Sequence, residues 1–304
     1  MANLTIVNYH YVRDMHETKY PGIKGFLIKY FKFQVDYLSK KFNMISMSQY
    51  VDYLNGNGEI PENSCLLTFD DGLKDHYENV YPVLKEKGIS GMFYLISQTL
   101  TDFKVPHVHK VHFLLDKLGS EKIAGFANEF FKSKGNEVFE KYRIHGEFRI
   151  NPKRRFDDNL TANLKQNLGV MPFSLKDELL NDLFSECFEE EKFCKELFLS
   201  EEEVKEMMEN GMEFGSHSHF HKQLASLSEK EQEEEFVKST EILRDKFGKI
   251  DSFSYPNGSY TEEAIEMLKK LNYVSAVTVE LKENEGKVNP FKIARFDAND
   301  FPKE

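Results

Sequence analysis

Residues 66–72 read LLTFDDG, and this stretch decides the fold because an apolar run ends abruptly in two carboxylates and a glycine. Such a run is typical of a buried parallel strand, and side chains at its carboxyl end face the mouth where α/β barrels hold their active sites. The adjacent Asp70 and Asp71 can divide the chemistry, one binding a cation and the other accepting a proton. An ordinary Asp-Gly turn is the alternative interpretation.

Further short apolar runs alternate with amphipathic helical stretches over most of the chain. This alternation is the signature of βα units around a parallel sheet, so we predict an α/β fold of about seven strands. The predicted strands are Leu4–Tyr9, Cys65–Phe69, Gly91–Ile96, Glu213–Ser216, Ser252–Tyr255, Tyr273–Val279 and Lys292–Phe296.

The alternation is interrupted between residues 101 and 199, where strands are hard to find and helices predominate. We therefore expect a mainly helical insertion at 101–199 within a domain formed by 1–100 and 200–304. Long ordered insertions near an active-site mouth are usually lids or binding elements, so this one is expected to cap the active site. Its segment 106–112, PHVHKVH, is interpreted as loop and helix-surface histidines, with a metal site as the alternative.

Charge and composition exclude several classes of protein. The 304 residues carry 40 basic and 51 acidic side chains, a net charge of −11, and no basic block suited to a nucleic acid partner. The longest apolar runs are far shorter than the ~18 residues that a membrane helix needs. The opening residues lack a basic stretch followed by an apolar one, and the three cysteines are an odd number. We therefore expect a cytoplasmic protein in a reducing compartment, without a membrane span.

Three histidines fall within five residues of the segment 213–221, EFGSHSHFH, directly after a predicted strand. If a turn or a first helical coil follows the strand, the four-residue spacing of His217 and His221 brings both imidazoles to one side. They could then join Asp71 in a three-ligand metal site with open positions for water, which is the pattern of a catalytic site. The cluster and the paired carboxylates together favour a metal centre over isolated structural histidines.

These segments resemble the motifs of the polysaccharide deacetylases, the NodB-homology domains of carbohydrate esterase family four. TFDDG at 68–72 matches the first motif, and His217-Ser218-X-X-His221 matches the second motif, H-S/T-X-X-H. FSYPNG at 253–258 is similar to the third motif, which lines the substrate groove. NYHYV at 8–12 is similar to the opening strand of a subgroup whose final histidine motif is permuted to the N-terminus. The resemblance covers 1–100 and 200–304 and implies a distorted (β/α) barrel.

The resemblance also implies roles for individual residues. Asp71, His217 and His221 would bind one divalent metal, with zinc favoured and cobalt or nickel as alternatives, and Asp70 would be the base. Tyr255 and Pro256 would contact the substrate, with a backbone N–H near Tyr255 stabilising the oxyanion. His219 occupies a variable position of the second motif and is left out as a ligand.

Two further roles depend on departures from the family pattern. The third motif often carries an arginine that orients the base, but Ser254 occupies that position here, and Arg295 is the best substitute. A structural salt bridge is the alternative role for Arg295. The permuted subgroup places its proton donor on the first strand, and no histidine follows His221, so His10 would be the general acid, with Asp297 as its partner. A histidine that simply fills the barrel end is the alternative role for His10.

The resemblance implies a metal-dependent hydrolase that removes an acetyl group from an N-acetylated amino sugar, a precursor of a surface glycan. A helical cap would limit this enzyme to a small or terminal sugar. One alternative is hydrolysis of another amide or C–N bond on the same fold. The other is a non-catalytic glycan-binding protein, although the intact set of carboxylates and histidines argues against it.

Overall fold

The computed structural model describes residues 3–152 and 157–304, and within these ranges one sheet holds nine strands. Most of them are short, and the longest are the first and the third. The strands are β1 Asn3–Tyr9, β2 Asn43–Met44, β3 Ser64–Phe69, β4 Gly91–Leu95, β5 Glu213–Ser216, β6 Ser252–Ser254, β7 Ser275–Val277, β8 Asn284–Glu285 and β9 Phe296–Asp297.

Six of these strands lie side by side in the order β7-β6-β5-β4-β3-β1, and every neighbouring pair in this row is parallel. The row closes through residues 293–297, because Ile293 bridges to Val277 of β7 and Phe296 of β9 pairs with Val7 of β1, both in parallel. The predicted α/β fold, a distorted barrel of about seven strands, is confirmed. All the carboxyl ends of the ring strands therefore meet at one face.

The last strand is shorter than the predicted Lys292–Phe296. In this segment the amide of Arg295 donates to the carbonyl of Glu280, 3.0 Å away, in the loop after β7. This hydrogen bond interrupts the pairing between the bridge at Ile293 and the start of β9. The interruption matters for the site described below, because it occurs at the residue whose side chain enters the barrel.

A row of aromatic rings lies on the helix-facing side of the strands, just below the carboxyl-end face of the barrel. Tyr9, Phe69, Phe93 and Phe214 occupy matched positions on β1, β3, β4 and β5. Neighbouring rings stack with centroids 5.3, 4.6 and 5.4 Å apart, and all four are buried. Each buried ring contributes roughly 1.5–3 kcal/mol of hydrophobic stabilisation. The row fixes the register of the strand ends from which the site is built.

The helices and strands separate into two compact units, Met1–His16 with Lys24–Lys104 and Cys194–Glu304, and Glu17–Ile23 with Val105–Phe193. The first contains α1 Ile28–Lys41, α2 Met47–Asn55, a π-helical turn His76–Val80, α3 Tyr81–Lys87, α4 Gln98–Thr101, α10 Glu201–Glu209, α11 Glu229–Phe247 and α12 Glu262–Lys270. The second contains α5 His107–Ser133, α6 Asn136–Tyr142, α7 Asn159–Val170 and α8 Phe173–Ser185, and α9 Glu190–Leu197 begins there and ends in the first. In the part of the chain that the structure describes, no helix is both long and apolar enough to cross a membrane.

The second unit has its own core, which is formed largely by aromatic side chains. Tyr20 meets Phe113 and Phe193 edge-on, and Phe184 stacks on Phe188. Gly119 interrupts α5 with a φ of 75°, a conformation that glycine adopts without a steric cost. The unit is therefore a helical block with an internal hydrophobic cluster.

Candidate active site

Four chain segments deliver polar side chains to the carboxyl-end face of the barrel. Asp70 and Asp71 follow β3 directly, and His217 follows β5. Ser254 ends β6, and Arg295 immediately precedes β9. Since these strands are parallel members of one ring, their ends converge, and the sequence motifs meet in space.

Asp71, His217 and His221 turn their ligand atoms toward one point. The Nε2 atoms of both histidines lie 3.6 Å from Oδ1 of Asp71 and 3.2 Å from each other. All three ligand atoms lie within 4.8 Å of one another, and among the described residues this is the group suited to hold a metal ion. A donor set of two imidazoles and one carboxylate matches the ligands that zinc takes in catalytic sites. The three residues present therefore fit a bound divalent cation.

A hydrogen bond at Nδ1 fixes the orientation of the His217 ring. Its Nδ1 lies 2.7 Å from the carbonyl oxygen of Ser254, so Nδ1 carries the hydrogen and donates it. In the neutral ring, Nε2 then keeps its lone pair and directs it toward Asp71. A hydrogen bond of this kind on the far side of a ligating histidine fixes both the tautomer and the ring orientation.

The backbone around these ligands adopts conformations that L-residues seldom take. Asp71, Ser218 and His221 have φ angles of 80°, 64° and 57°, and Asn257 in the third motif has a φ of 56°. Positive φ costs on the order of 1–3 kcal/mol per non-glycine residue and persists only where the surroundings enforce it. Ser218 helps to enforce it here, because its Oγ accepts the amide of His221 at 3.0 Å.

The buried Glu235 of α11 also holds this turn. Its carboxylate accepts the backbone amides of His219 and Phe220 at 3.2 and 2.8 Å and faces the ammonium group of Lys222 at 3.4 Å. The side chain of His219 is used differently from those of the two ligands, since its Nδ1 contacts Oγ of Ser97 at 2.8 Å. The structure thus places His219 apart from the ligand group, in agreement with its omission as a ligand.

Arg295 binds Asp70 through two parallel hydrogen bonds. The NH1 and NH2 groups of Arg295 donate to Oδ1 and Oδ2 of Asp70 at 2.9 and 2.8 Å, and both side chains are almost completely buried. NH2 also donates to Oγ of Ser254 at 3.1 Å, and Nε donates to the carbonyl of Thr278 at 2.9 Å. The arginine that the third motif lacks at Ser254 is thus supplied from the strand beyond, and it reaches Ser254 itself.

Burial alone would raise the pKa of Asp70, but the positive charge and the hydrogen bonds of Arg295 outweigh burial and hold the pKa well below its usual range. Asp70 is therefore ionised near neutral pH. An ionised, oriented carboxylate beside a candidate metal site is the group that can accept a proton from water.

His10 lies next to Asp70 at the end of β1. Its Nε2 is 4.0 Å from Oδ2 of Asp70, and its side chain is 46% exposed. A half-exposed ring does not fill the barrel end. The prediction that Asp297 is its partner finds no support among the described residues. The Asp297 carboxylate is exposed and accepts the backbone and side-chain N–H groups of Asn299 at 2.8 and 2.7 Å.

Tyr255 and Pro256 lie beside the site, but neither offers the backbone N–H that is predicted near Tyr255. The backbone N–H of Tyr255 donates to the carbonyl of Val277 at 3.2 Å, and its buried hydroxyl donates to the carbonyl of Phe291 at 3.2 Å. Proline has no backbone N–H to offer in place of Tyr255. Neither residue therefore has an N–H free for a substrate oxygen.

The histidines of 106–112 do not assemble with the barrel site. His107 contacts Oδ1 of Asp177 at 2.7 Å within the second unit, and burial lowers its pKa. All three histidines lie on α5, and none belongs to a candidate metal group among the described residues, but His109 is buried rather than on the helix surface.

Sequence reasoning missed one residue of the site, Asn8. Its side-chain N–H donates to Oδ2 of Asp70 at 3.1 Å, and its Oδ1 accepts from Arg295 at 3.0 Å and from Thr68 at 3.1 Å. Asn8 thus completes the hydrogen bonding of both members of the ion pair. The available signal was an amide near the end of a mainly apolar strand, two residues before His10.

Comparisons with known proteins agree with this geometry. The family model described as polysaccharide deacetylase matches residues 57–113 and 137–276, more than half of the chain. The chain belongs to the polysaccharide deacetylase family. The matched residues include Asp70 and the three residues of the candidate metal site, whereas His10 and Arg295 lie outside them.

Individual members of the polysaccharide deacetylase family are distant in sequence. YxkH of Bacillus subtilis strain 168, whose name places it in the same family, is 20% identical over 281 residues. This match covers 92% of the chain, and the chain spans 65% of the length of YxkH.

Solved structures share the fold at similarly low identity. The Streptococcus pyogenes deacetylase PplD, determined in complex with acetate, is 15% identical with a TM-score of 0.61 over 97% of this chain and 92% of its own. IcaB from Ammonifex degensii is 18% identical with a TM-score of 0.60 over 97% and 91%. At such identities the likeness establishes the fold.

Proposed function

We propose that the protein is a metal-dependent hydrolase that removes the acetyl group from an N-acetylated amino sugar. The observation that carries the proposal is the convergence of the ligand atoms of Asp71, His217 and His221 beside the ionised carboxylate of Asp70. Membership of the polysaccharide deacetylase family and the acetate named with the related PplD structure support it.

The three converging residues would hold one divalent cation. Zinc suits a set of two imidazoles and a carboxylate, and cobalt or nickel can occupy the same set. When bound, such a cation polarises the acetamide carbonyl and lowers the pKa of water from 15.7 toward ~7. His217 contributes through its fixed tautomer, since the carbonyl of Ser254 holds the hydrogen on the far side of the ring.

Asp70 is the general base of the proposed reaction. Its two oxygens accept hydrogen bonds from Arg295 and Asn8, so its orientation is set before substrate arrives. Such preorganisation means that little reorganisation is needed when the carboxylate takes the proton from water. Arg295 is a positioning residue for this carboxylate.

His10 is the general acid of the proposed reaction. An amide is cleaved only if the departing nitrogen gains a proton, and a protonated imidazole at Nε2 can supply it. The ring lies close to the base and is half exposed, so it has access to the space above Asp70. Hydrolysis then adds water across the C–N bond, giving acetate and the free amine.

The proposed class of substrate is based on the sequence. We propose a precursor of a surface glycan, acted on in the cytoplasm, and a cap formed by residues 101–199 that limits the enzyme to a small or terminal sugar. Comparison of rates on N-acetylglucosamine, its short oligomers and a long polymer tests the cap. Efficient deacetylation within the interior of the long polymer would contradict it.

Acetate release from a panel of acetylated compounds tests the activity itself. The panel contains N-acetylglucosamine, its short oligomers, an O-acetylated sugar and a simple aliphatic acetamide. We expect acetate from the N-acetylated sugars, loss of activity on dialysis against a chelator, and recovery with one equivalent of zinc or cobalt. Release only from non-sugar amides would indicate another C–N hydrolase, and binding without acetate release would indicate a glycan-binding protein.

A further inference from the structure

The chain makes one turn of π-helix at His76–Val80, six residues beyond Asp70. The amide of Tyr81 donates to the carbonyl of His76, five residues back, instead of the usual four. Turns of this kind are rare and occur frequently at functional sites. The wider turn changes which side chains lie on the same face of the helix. The contacts of those side chains therefore indicate what the turn does.

Three side chains of this segment contact the main chain that follows β1. Nε2 of His76 lies 3.0 Å from the carbonyl oxygen of His10, and the amide of Asn79 donates to the carbonyl of Val12 at 2.8 Å. One carboxylate oxygen of Asp75 accepts the backbone N–H of Val12 at 3.0 Å. The loop that carries His10 is thus attached through its own backbone groups.

The contact between His76 and His10 has a defined direction. Nδ1 of His76 is buried without a hydrogen-bond partner in the described structure, so the ring hydrogen belongs on Nε2. Nε2 therefore donates to the carbonyl of His10. The ring is enclosed by Phe69 and Phe93, whose centroids both lie 5.6 Å away, so it has little room to move.

Asp75 adds a second, charged attachment to the same loop. Beyond its bond to Val12, it receives Nε and NH2 of Arg13 at 2.7 and 2.6 Å, a bidentate pair between two mostly buried side chains. Bidentate pairs fix geometry as well as adding energy. Backbone and side-chain groups from residue 10 to residue 13 are consequently held by a single turn.

The ring of His10 itself has a looser environment. It is half exposed, and the contact that the structure describes for it is Asp70 at 4.0 Å. Its place above Asp70 must then depend largely on where the main chain holds its Cα atom. We propose that Asp75, His76 and Asn79 are positioning residues that set the place of His10 relative to Asp70, an inference that rests on the proposed role of His10 as general acid.

A double-mutant cycle with His10 tests the inference. Asn79 is only partly buried, so Asn79→Ala removes one attachment without opening the core. Because small displacements of a catalytic group cost up to about 10²-fold in rate, we expect Asn79→Ala to lower kcat about tenfold with KM and metal content unchanged. In the His10→Ala background the same substitution should have little further effect, since its target is gone. Glu78→Ala, on an exposed neighbour of the same turn, is the matched control and should leave kcat unchanged.

Two further readouts separate positioning from general damage. Asn79→Ala should alter the basic limb of the pH–rate profile, which His10 is expected to govern. Amide hydrogen exchange of Val12 and Arg13 should accelerate, while that of residues 70–73 should not. Asp75→Asn, which keeps an acceptor for Val12 but weakens the pair with Arg13, should reproduce the pattern and serves if Asn79→Ala does not fold.

The outcomes distinguish this inference from the proposed function. Equal losses from Asn79→Ala with and without His10 would show that the turn acts on another group and would overturn the inference. Wild-type kcat in Asn79→Ala and Asp75→Asn, beside a strongly impaired His10→Ala, would overturn the inference alone. Wild-type kcat in His10→Ala would remove the general acid from the proposed function and the inference with it.

Discussion

The ends of β3 and β1 lie side by side, yet they hold their functional residues in opposite ways. Asp70 at the end of β3 is buried, and its carboxylate is hydrogen-bonded by Arg295 and Asn8. His10 at the end of β1 is half exposed, and the fixed part of it is the main chain. The proposed base is thus fixed through its side chain. The proposed proton donor is fixed through its main chain, and its ring is more exposed.

The largest effect is expected from Asp70→Asn, which removes the buried charge that Arg295 and Asn8 hold in place. The variant should lose about 10²–10⁴-fold in kcat, because an amide cannot accept the proton that the carboxylate takes. It should also lose about 3–5 kcal/mol of unfolding free energy, since the buried guanidinium of Arg295 is left without its counter-charge. Rates of acetate release and urea unfolding measure the two effects.

Asp36→Asn is the control for the loss of the Asp70 charge. Asp36 is an exposed carboxylate paired with Lys87, and its removal should change neither quantity noticeably. Full activity in Asp70→Asn would remove the base from the account.

The second variant, His10→Ala, removes the half-exposed imidazole at the end of β1. We expect a loss of roughly 10²–10⁴-fold in turnover with fold and metal retained, and an altered basic limb of the pH profile. Unlike Asp70→Asn, this change should cost little stability, because the ring is half exposed. His16→Ala, on an exposed histidine of the next turn, is the control. A variant that unfolds, or that works at the wild-type rate, would return His10 to a structural role.

A smaller effect is expected when the two parallel hydrogen bonds between Arg295 and Asp70 are weakened. Arg295→Lys keeps the charge but loses the planar fork, so Asp70 should stay ionised while its orientation is less well defined. We expect kcat to fall about tenfold to 10²-fold, with KM changed much less. Arg244→Lys is the matched control, because Arg244 donates to the backbone carbonyl of Ile250 away from the site. Equal effects on kcat in both variants would mean that the pair with Asp70 is only structural.

The smallest effect concerns the support beneath His10. Burial lowers the pKa of His76 to about 4, whereas the unfolded chain titrates near 6.5. The folded protein keeps this ring neutral while the unfolded chain takes up a proton, so stability should fall as the pH drops from about 6.5 to about 4, by up to about 3 kcal/mol.

His76→Gln tests this assignment, since glutamine retains a side-chain N–H donor but does not titrate. Its urea midpoint should fall less between pH 7 and pH 4.5 than that of the wild-type protein. An identical fall in both proteins would assign the pH dependence to other groups.

Much of the fold and of the candidate metal site could be predicted because their signals are local. Asp70 and Asp71 mark the end of one apolar run, and two histidines four residues apart follow another strand. These patterns indicate both where the strands end and which side chains could be ligands. The capping boxes Ser200 with Glu203 and Ser228 with Glu231, visible as short sequence patterns, begin α10 and α11 in the structure.

Contacts between distant segments could not be predicted in the same way. Asn8 is one of two amides in a mainly apolar strand, and the register of β1 against β3 brings it to Asp70. The amide of Tyr255 pairs with Val277 because β6 and β7 are neighbours, a fact that single-segment reasoning does not contain. The π-turn at His76–Val80 departs from the 3.6-residue period on which helix prediction depends.

Metal stoichiometry in the wild-type protein, Asp71→Asn and Asp70→Asn tests whether Asp71, and not Asp70, is a metal ligand. The carboxylates are neighbours in sequence, but the structure turns Asp71 toward His217 and His221 and Asp70 toward Arg295. We predict one equivalent of zinc or cobalt in the wild-type protein and in Asp70→Asn, and a loss of at least about tenfold in metal affinity in Asp71→Asn. Equal metal content in all three proteins, or full acetate release from a metal-free sample, would contradict the account.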